Sequence, residues 1–443
     1  MKSIAIKYDK IKKYLDNTLW IMADKFLGLG VAFLITVVVA RYLGPEEFGI
    51  YSYVISLVSL FAVAGHMGLA GLVVREIVSK PSDRGLILGT TFILKLTGMA
   101  IGYLALLVYG FYYEGVESVE FFLIAILGST LLLRSVDTID YWFQSFVQAK
   151  YVSISNLIGL FSSSIAKLLF VFGGFSLAYF VLANVLQVVI LGLVLLFFYI
   201  TKSDLRIREW SFSWVKVKEL LGQGWLIYLG SIFAIINLKM DQVMLKWYQG
   251  AEQVGIYAVA AQISEAWYFI PTAIVASFFP KFIELREKDN EQYQIRLQQL
   301  FDILFLLALT VAVIVTFGGG LLINIFFGEQ YEASAGILVV HIWAAIFIFM
   351  RALFSRWILI EDALVFSLIT QGFGAIVNVI LNYFWIQEYG ALGAAYATLL
   401  SYAASSYIAL LLYKKTRPVF WMMCKSIVMY SLFSKGIKNE KVS

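Results

Sequence analysis

The chain carries the sequence GPEEFGIY from Gly44 to Tyr51 and the related sequence GAEQVGIY from Gly250 to Tyr257. Five of the eight positions are identical, and the two copies lie 206 residues apart. Each copy follows the first long apolar segment of one half of the chain. This matched placement predicts a parallel duplication of about six helices, and parallel repeats of transmembrane helices are a transporter architecture. The phrase therefore predicts a membrane carrier with two lobes.

The composition excludes an ordinary soluble domain. Hydrophobic residues make up 61% of the 443 residues and charged residues 14%, with a mean hydropathy of +0.84, whereas soluble domains carry roughly 25% charged residues. The apolar runs reach the ~20 residues that a bilayer crossing requires. We predict an all-α polytopic membrane protein with about twelve transmembrane helices, at 17–40, 49–74, 86–110, 119–136, 153–172, 176–200, 222–246, 255–279, 298–326, 334–358, 364–386 and 390–413.

The basic residues predict the orientation of these helices. Arg41 and Lys246 are the only basic residues that fall in the predicted outside loops, and most of the 34 lysines and arginines fall on the other side. Because cytosolic loops carry the excess of lysine and arginine, both termini are predicted to be cytosolic. The predicted domains are a lobe at 1–200, a cytosolic interfacial linker at 201–220, a lobe at 221–413 and a basic cytosolic tail at 414–443.

The linker interleaves Trp210 and Trp214 with basic residues. This pattern is typical of an interfacial helix that lies against anionic headgroups. A solvated linker is the alternative.

Ionisable residues at membrane depth are costly, so they usually face a cavity or each other. The first span carries adjacent Asp24 and Lys25 and ends at Arg41. Asp24 and Lys25 could form a neutral pair between helices, and Arg41 could extend to the outer headgroups. Lys95 and Lys167 have no acidic neighbour one helical turn away, so each requires a partner from another helix or an anionic ligand.

The seventh span carries both signs of charge. Lys239, Gln242 and Lys246 share one helical face, while Asp241 points away from it. Such a cationic stripe suits an anionic substrate. In the second half, Glu265 and Asp302 are buried acids that could pair with the deep lysines, and protonation of Glu265 could couple transport to protons.

Two further features concern helix shape and pairing. The fourth span ends in a stripe that contains Arg134, Asp137 and Tyr141, which internal pairing between Arg134 and Asp137 would explain. Pro271 lies inside the eighth span and predicts a kink, because proline removes a backbone donor and clashes with the preceding turn.

Signals of enzymatic chemistry are absent from the sequence. The two histidines, His66 and His341, lie in different halves without other metal ligands nearby, and Cys424 is the single cysteine. Neither a phosphate-binding glycine loop nor a basic groove for nucleic acid is apparent. We therefore expect no catalytic residues, no metal, no cofactor and no nucleic-acid partner.

Several stretches resemble the signatures of a known family. The matching stretches are ARYLGP at 40–45 followed by FG at 48–49, RE at 75–76, DYWFQ at 140–144, DQVML at 241–245, VGIY at 254–257 and GALGAAYAT at 390–398. Together they resemble the polysaccharide and O-antigen flippases, within the superfamily that includes the MATE drug exporters and the lipid II flippases. Lys246 departs from the family pattern, in which this position is often small or polar.

The resemblance implies two six-helix bundles around a central cavity in a bacterial inner membrane. It implies alternating-access transport of an undecaprenyl-pyrophosphate-linked oligosaccharide from the cytosolic to the outer leaflet, among membrane lipids, with a glycan polymerase as a possible partner. A pyrophosphate requires cations, so the substrate-binding candidates are Lys25, Arg41, Arg75, Lys95, Lys167 and Lys239. The coupling candidates are Asp24, Asp241 and Glu265.

Three other functions remain open from the sequence. A drug–cation antiporter of the same fold would prefer an acidic cavity, whereas buried cations outnumber buried acids in this chain. A membrane-bound glycan polymerase or ligase would require a catalytic constellation. A passive scramblase would require no coupling group at all.

Overall fold

The computed structural model describes residues 2–428, which form helices and connecting segments without a β-strand. The α-helices are α1 (Lys2–His66), α2 (Ala70–Ser79), α3 (Arg84–Tyr113), α4 (Val119–Gly128), α5 (Thr130–Leu133), α6 (Thr138–Ser145), α7 (Ala149–Phe172), α8 (Leu177–Lys202), α9 (Trp214–Gln249), α10 (Ala251–Glu265), α11 (Phe269–Lys288), α12 (Asn290–Phe326), α13 (Ser334–His341), α14 (Ala344–Ile360), α15 (Leu364–Ser406) and α16 (Arg417–Ile427). Short 3₁₀ turns lie at Pro81–Asp83, Arg134–Asp137, Ile207–Glu209, Glu329–Tyr331 and Ile408–Leu411. The predicted tail at 414–443 lies outside the described residues from 429 onward.

The prediction of an all-α polytopic membrane protein is confirmed. Within the described residues, ten helical segments are long and apolar enough to cross a membrane. Two of them, Asp16–Ser79 with 64 residues and Val365–Leu411 with 47, are long enough to cross twice. In each of them a glycine with a non-helical backbone interrupts one α-helix, Gly44 in α1 and Gly390 in α15. The total of twelve spans stays a prediction.

The duplicated phrase has the same backbone in both copies. Gly44 has φ 75° and ψ 173°, and Gly250 has φ 85° and ψ 179°. This region of φ/ψ space is essentially restricted to glycine, which explains why both copies begin with that residue. Each glycine ends one helical run, and the next helical run starts at Pro45 and at Ala251 respectively.

The chain divides into two compact units, Met1–Ile235 and Ile236–Ser443. The first unit holds α1 to α8 and the beginning of α9, and the second unit holds the rest. The division falls inside α9, downstream of the predicted linker at 201–220. The predicted lobe boundaries stay predictions.

The segment between α8 and α9 packs on the first unit instead of forming a helix of its own. Its only regular structure is the 3₁₀ turn Ile207–Glu209. The Trp210 indole donates a hydrogen bond to the Tyr199 hydroxyl at 2.8 Å, and the Ser213 backbone N–H donates one to Thr90 Oγ1 at 3.1 Å. The expected interfacial helix is therefore wrong, because these side chains and backbone groups find partners on α8 and α3. A membrane-anchoring role for the exposed Trp214 stays a prediction.

The kink predicted at Pro271 is present as a full break. α10 ends at Glu265 and α11 begins at Phe269, so the interruption comes just before the proline, whose ring excludes the carbonyl of the preceding turn. At the other end of α11, the Asp289 carboxylate accepts a hydrogen bond from the Gln292 backbone at 3.0 Å and begins α12. This pair of features fixes where the eighth and ninth predicted spans meet.

A cluster of four charges joins the end of α2 to the start of α9 within the first unit. The buried Lys216 ammonium lies 3.0 Å from Glu76 and 2.7 Å from Glu219. Lys80 lies 2.8 Å from Glu76 and 3.2 Å from Glu219. Hydrogen bonds to both carboxylates raise the pKa of the Lys80 ammonium above its ordinary value. We call these four residues the cytosolic ion cluster, after the side on which the charge pattern predicts them to lie.

Close backbone packing accompanies this cluster. Gly68 has φ 65°, and a Cβ added there would meet the Gly224 carbonyl oxygen of α9 at 2.6 Å. Only glycine allows α2 and α9 to approach this closely. The beginning of α9 is therefore held to the first unit by both charge and shape.

Candidate functional site

A polar cavity of about 450 Å³ lies within the first unit. Its apolar wall comes mainly from α1 and α8. Its polar lining is mixed in charge and comprises Ser59, His66, Lys95, Thr130, Arg134, Asp137, Asp140, Tyr141, Asn156, Asn184 and Gln187. We call this space the first-unit cavity.

Lys95 on α3 is the most deeply placed cation of this cavity. Its side chain is only 2% exposed, and its ammonium lies 5.1 Å from the centroid of the Tyr141 ring. A cation over an aromatic face is stabilised by the ring quadrupole, by about 2 kcal/mol when it is desolvated. Among the described residues, no carboxylate lies within ion-pair distance of this ammonium. The sequence predicted that Lys95 requires a partner from another helix or an anionic ligand. In the structure its ammonium lies over the neutral Tyr141 ring.

The acids of the cavity come from the segment that contains the DYWFQ stretch. Asp140 accepts a hydrogen bond from the Gln144 amide one turn later, at 2.9 Å. Asp137 lies at the end of the 3₁₀ turn that precedes α6. The predicted pairing of Arg134 with Asp137 is wrong, since no salt bridge joins them in the described part of the chain. The 3₁₀ turn places these two positions on the same side of the chain, and both side chains line the cavity without forming an ion pair.

Two other predicted residues reach the cavity through asparagines that line it. The Asn156 amide donates a hydrogen bond to the Asp24 carboxylate at 2.9 Å. The Lys167 ammonium donates one to Asn184 Oδ1 at 2.8 Å, and its Nζ lies 5.8 Å from the Tyr51 ring. The polar groups of α1, α7 and α8 thus form a continuous lining.

Among the described residues, Lys95 is the one member of the six predicted cations that lines this cavity, and three others of the first unit are exposed. Lys25 and Arg41 are exposed on α1. Arg75 on α2 is exposed as well, and its guanidinium donates a hydrogen bond to Gln223 Oε1 at 2.6 Å. The neighbouring Glu76, rather than Arg75, takes part in the cytosolic ion cluster.

In the second unit, Lys239 and Glu265 face each other. The Lys239 ammonium lies 3.9 Å from Glu265 Oε2, and both side chains are partly exposed. The prediction that Glu265 and Asp302 partner Lys95 and Lys167 is wrong. Glu265 is matched with Lys239, and Asp302 accepts a hydrogen bond from Gln298 at 2.8 Å.

Asp241 on α9 is enclosed by hydrogen-bond donors. Its side chain is 2% exposed. One carboxylate oxygen accepts hydrogen bonds from the Tyr257 hydroxyl at 2.7 Å and the Thr398 hydroxyl at 2.6 Å. The other accepts one from the Asn382 amide at 2.6 Å, and this amide also donates to Asn378 Oδ1 at 3.0 Å. We call these five residues the Asp241 network.

The Asp241 network is not completely satisfied. Asn378 Nδ2 and Asn382 Oδ1 are buried without a hydrogen-bond partner, and so is His341 Nδ1. The His341 ring packs edge-on to Tyr257 at 5.7 Å. Buried polar groups normally form hydrogen bonds. The Asp241 carboxylate therefore lies among polar side chains that do not all have a hydrogen-bond partner.

Sequence reasoning missed several of these residues. Asp140, Asn156 and Asn184 were not identified as site residues, although the DYWFQ stretch contains the first of them. Arg351 was also missed. It lies inside α14, where its guanidinium donates hydrogen bonds to Thr370 Oγ1 at 3.0 Å and to the Ser405 carbonyl at 3.2 Å. The available signal was the presence of two arginines, Arg351 and Arg356, inside the predicted span 334–358.

The described residues contain no group of three or more histidines, cysteines, aspartates or glutamates arranged to hold a metal ion. The lining of the first-unit cavity can instead hold polar and anionic groups, through Lys95, Arg134 and the amides of Asn156, Asn184 and Gln187. The cavity also contains acids, so that a bound anion would experience cations and carboxylates together.

Comparison with known families gives a match to a family model described as polysaccharide biosynthesis protein, over residues 14–286. Among curated proteins, the chain is 25% identical over 408 residues to a protein of Shigella flexneri that carries the provisional name of O-antigen transporter, covering 86% of this chain and 93% of the relative. It is also 25% identical over 409 residues to a protein of Haloferax volcanii named as the probable flippase AglR. This match covers 86% of this chain and 79% of the relative.

Solved structures with the same fold include two transporters. The lipid II flippase MurJ in an inward closed conformation matches with a TM-score of 0.70 and 14% identity, covering 93% of this chain and 91% of that one. A multidrug resistance MATE family transporter of the MOP superfamily, in an inward-facing conformation, matches with a TM-score of 0.67 and 14% identity. This match covers 92% of this chain and 99% of the transporter chain. At this identity the likeness concerns the fold alone.

Proposed function

Because this chain belongs to the polysaccharide biosynthesis protein family, we propose that it is a flippase, and that it moves an undecaprenyl-pyrophosphate-linked oligosaccharide from the cytosolic to the outer leaflet of a bacterial inner membrane. The transported lipid would supply surface polysaccharide or O-antigen synthesis, and a glycan polymerase of the same pathway would act on it afterwards. Both termini would be cytosolic, and transport would proceed by alternating access without a chemical step on the substrate.

The single observation that carries this proposal is the first-unit cavity. A substrate of this class combines a pyrophosphate, which requires cations, with a glycan, which requires hydrogen-bonding partners, and a prenyl tail that can stay in lipid. Lys95 and Arg134 supply the positive charges inside the cavity, and its asparagines and glutamine supply amides. Moving such a head group through hydrocarbon about 30 Å thick without a polar path would be prohibitively costly.

The names of the relatives support the same class of cargo. The relatives from Shigella flexneri and Haloferax volcanii are named for O-antigen transport and flipping, and the MurJ neighbour is named as a lipid II flippase. We propose that Lys167 and Asp24 hold the asparagines of the cavity in place, and that Lys239 binds the anion at another stage of the transport cycle. Lys25, Arg41 and Arg75 would contribute to the path outside the cavity.

We propose further that transport is coupled to an ion through the second unit. Asp241 and Glu265 are its candidate coupling groups, because each is an acid at membrane depth that can change its charge or its partner. The cluster around Asp241 supports this role through its buried carboxylate and incompletely satisfied amides. Loss of transport after collapse of the proton or sodium gradient would support coupling, and unchanged transport would indicate a passive carrier.

The proposal is tested by the sidedness of the lipid-linked glycan in cells that lack this gene. We expect undecaprenyl-linked oligosaccharide to accumulate on the cytosolic face, and re-expression of the chain to clear it. A Lys95→Gln/Arg134→Gln variant should fail to clear it while reaching the membrane at the normal level. If the glycan reached the outer face equally well without the gene, the proposal would be wrong, and export of cationic dyes would test the drug-exporter alternative.

A further inference from the structure

A second cavity, of about 460 Å³, lies between α11 and α12 in the second unit. It is far in sequence from the first-unit cavity and shares no residue with it. Lys281 and Arg296 line it, and none of its lining residues within 2–428 is an acid. The described wall of the cavity therefore carries two positively charged side chains.

The walls of this cavity are apolar below the charges. Phe282 and Leu300 are buried at its base, while Phe278 and Ile303 are 50% and 47% exposed. Gln292 and Gln299 add amides beside the cations. A positive rim above an apolar, partly exposed wall matches a ligand with a negative head and a hydrocarbon tail.

The position of the cavity in the chain fits such a ligand. Phe278 lies at the end of the predicted span 255–279 and Ile303 near the start of the predicted span 298–326, so the cavity lies at the membrane boundary. The connection between these two spans is on the side that the charge pattern predicts to be cytosolic. Basic pockets between transmembrane helices on the cytosolic side are typical binding sites for anionic lipid headgroups.

The two cations have room to accept an anion. The guanidinium of Arg296 donates a hydrogen bond to the neutral Gln299 side chain at 3.1 Å. Lys281 pairs with Glu284 at 2.9 Å, but Glu284 also contacts Lys288 at 3.2 Å and would keep that partner if Lys281 turned toward a ligand. Both cations are exposed, so neither is required to complete a buried network.

We propose that the cavity between α11 and α12 binds an anionic phospholipid of the cytosolic leaflet, with the phosphate at Lys281 and Arg296 and one acyl chain along Phe278 and Ile303. This site is independent of the proposed transport function, because it concerns a resident lipid rather than the cargo. A bound lipid would add a further contact between two helices that already pack through Phe282 and Tyr293.

The test uses the purified full-length chain in nanodiscs of phosphatidylcholine with and without phosphatidylglycerol. Bound lipid is measured by native mass spectrometry and stability by thermal unfolding. We expect the wild type to retain phosphatidylglycerol preferentially, and the Lys281→Gln/Arg296→Gln variant to bind it about thirtyfold more weakly, since each of the two interfacial cations contributes on the order of 1 kcal/mol. The matched control, Lys202→Gln/Lys414→Gln, removes two exposed charges that neither line the cavity nor contact Glu284.

The outcomes separate the lipid site from general attraction to a charged membrane. Retained preference in the control together with its loss in the cavity variant would support the site. Equal losses in both variants would overturn it in favour of diffuse surface charge. Absence of any preference for phosphatidylglycerol in the wild type, or equal protection by inorganic phosphate alone, would also overturn it. None of these outcomes depends on whether the chain flips a glycan lipid.

Discussion

The first-unit cavity and the Asp241 network place charges at membrane depth in opposite ways. In the first-unit cavity, Lys95 touches an aromatic ring, and Arg134 and Asp137 make no salt bridge to each other within the described residues. In the Asp241 network, three donors enclose one carboxylate within 2.7 Å. A cavity with loosely held charges can exchange a ligand, whereas an enclosed carboxylate can respond only to a small ion or a proton. The two units thus hold their buried charges in different surroundings.

The largest effect that we expect is a loss of stability when the Asp241 network in the second unit is disrupted. Asp241→Ala removes the acceptor that the buried Tyr257, Thr398 and Asn382 donors share, and each hydrogen bond lost from a buried group costs about 1–3 kcal/mol. We expect a loss of about 3 kcal/mol or more in the free energy of unfolding, measured by unfolding of the purified protein in detergent. Asp137→Ala is the matched control in the first-unit cavity and should cost at most about 1 kcal/mol. Equal losses would erase the distinction between the two regions.

The next effect concerns the cytosolic ion cluster, which is the tightly paired part of the first unit. Glu76→Gln removes the shared carboxylate from Lys80 and Lys216, while Glu219 remains beside both. We expect destabilisation of about 2 kcal/mol, because a buried lysine loses one of its two counter-charges. The same change at the exposed Glu284 should cost below about 1 kcal/mol. A Glu76→Gln protein as stable as the wild type would show that close backbone packing alone holds α9 to α2.

A functional change tests whether the first-unit cavity is the region that carries ligand. Lys95→Gln/Arg134→Gln removes both cations of the cavity, and we expect glycan export to fall at least about tenfold, equivalent to about 1.4 kcal/mol of lost anion binding. Export is measured as surface glycan at equal membrane levels of protein. Lys202→Gln removes an exposed charge at the end of α8 and should leave export unchanged. Normal export by the double variant would remove the cavity from the mechanism.

The smallest expected effect concerns a sequence-predicted cation that the cavity does not include. Lys25 is exposed on α1, while its neighbour Asp24 bonds to Asn156. We expect Lys25→Gln to change export by less than about twofold, as exposed substitutions away from buried features cost within about 0.5 kcal/mol. A tenfold loss would show that Lys25 matters to export as much as the cations of the cavity do.

The sequence was sufficient for the fold class, because the length and apolarity of the spans and the glycine of each repeated phrase depend on local chemistry. Gly44 and Gly250 have the same backbone for that reason. The side-chain partners were harder to predict, since a deep charge can be matched from any helix. Glu265 pairs with Lys239 twenty-six positions earlier in the chain, and Lys167 is held by a neutral asparagine. Arg134 and Asp137 lie on a 3₁₀ turn and line the cavity without pairing, which the spacing of the two residues alone does not predict.

The most direct test of the account is translocation by the purified chain in proteoliposomes that contain undecaprenyl-pyrophosphate-linked oligosaccharide in one leaflet. Arrival of the glycan in the other leaflet is followed with a membrane-impermeant glycan-modifying enzyme. We predict a rate well above that of protein-free vesicles, and a fall to near that background for Lys95→Gln/Arg134→Gln. A rate equal to that of protein-free vesicles for the wild type, with the protein folded and correctly inserted, would contradict the account.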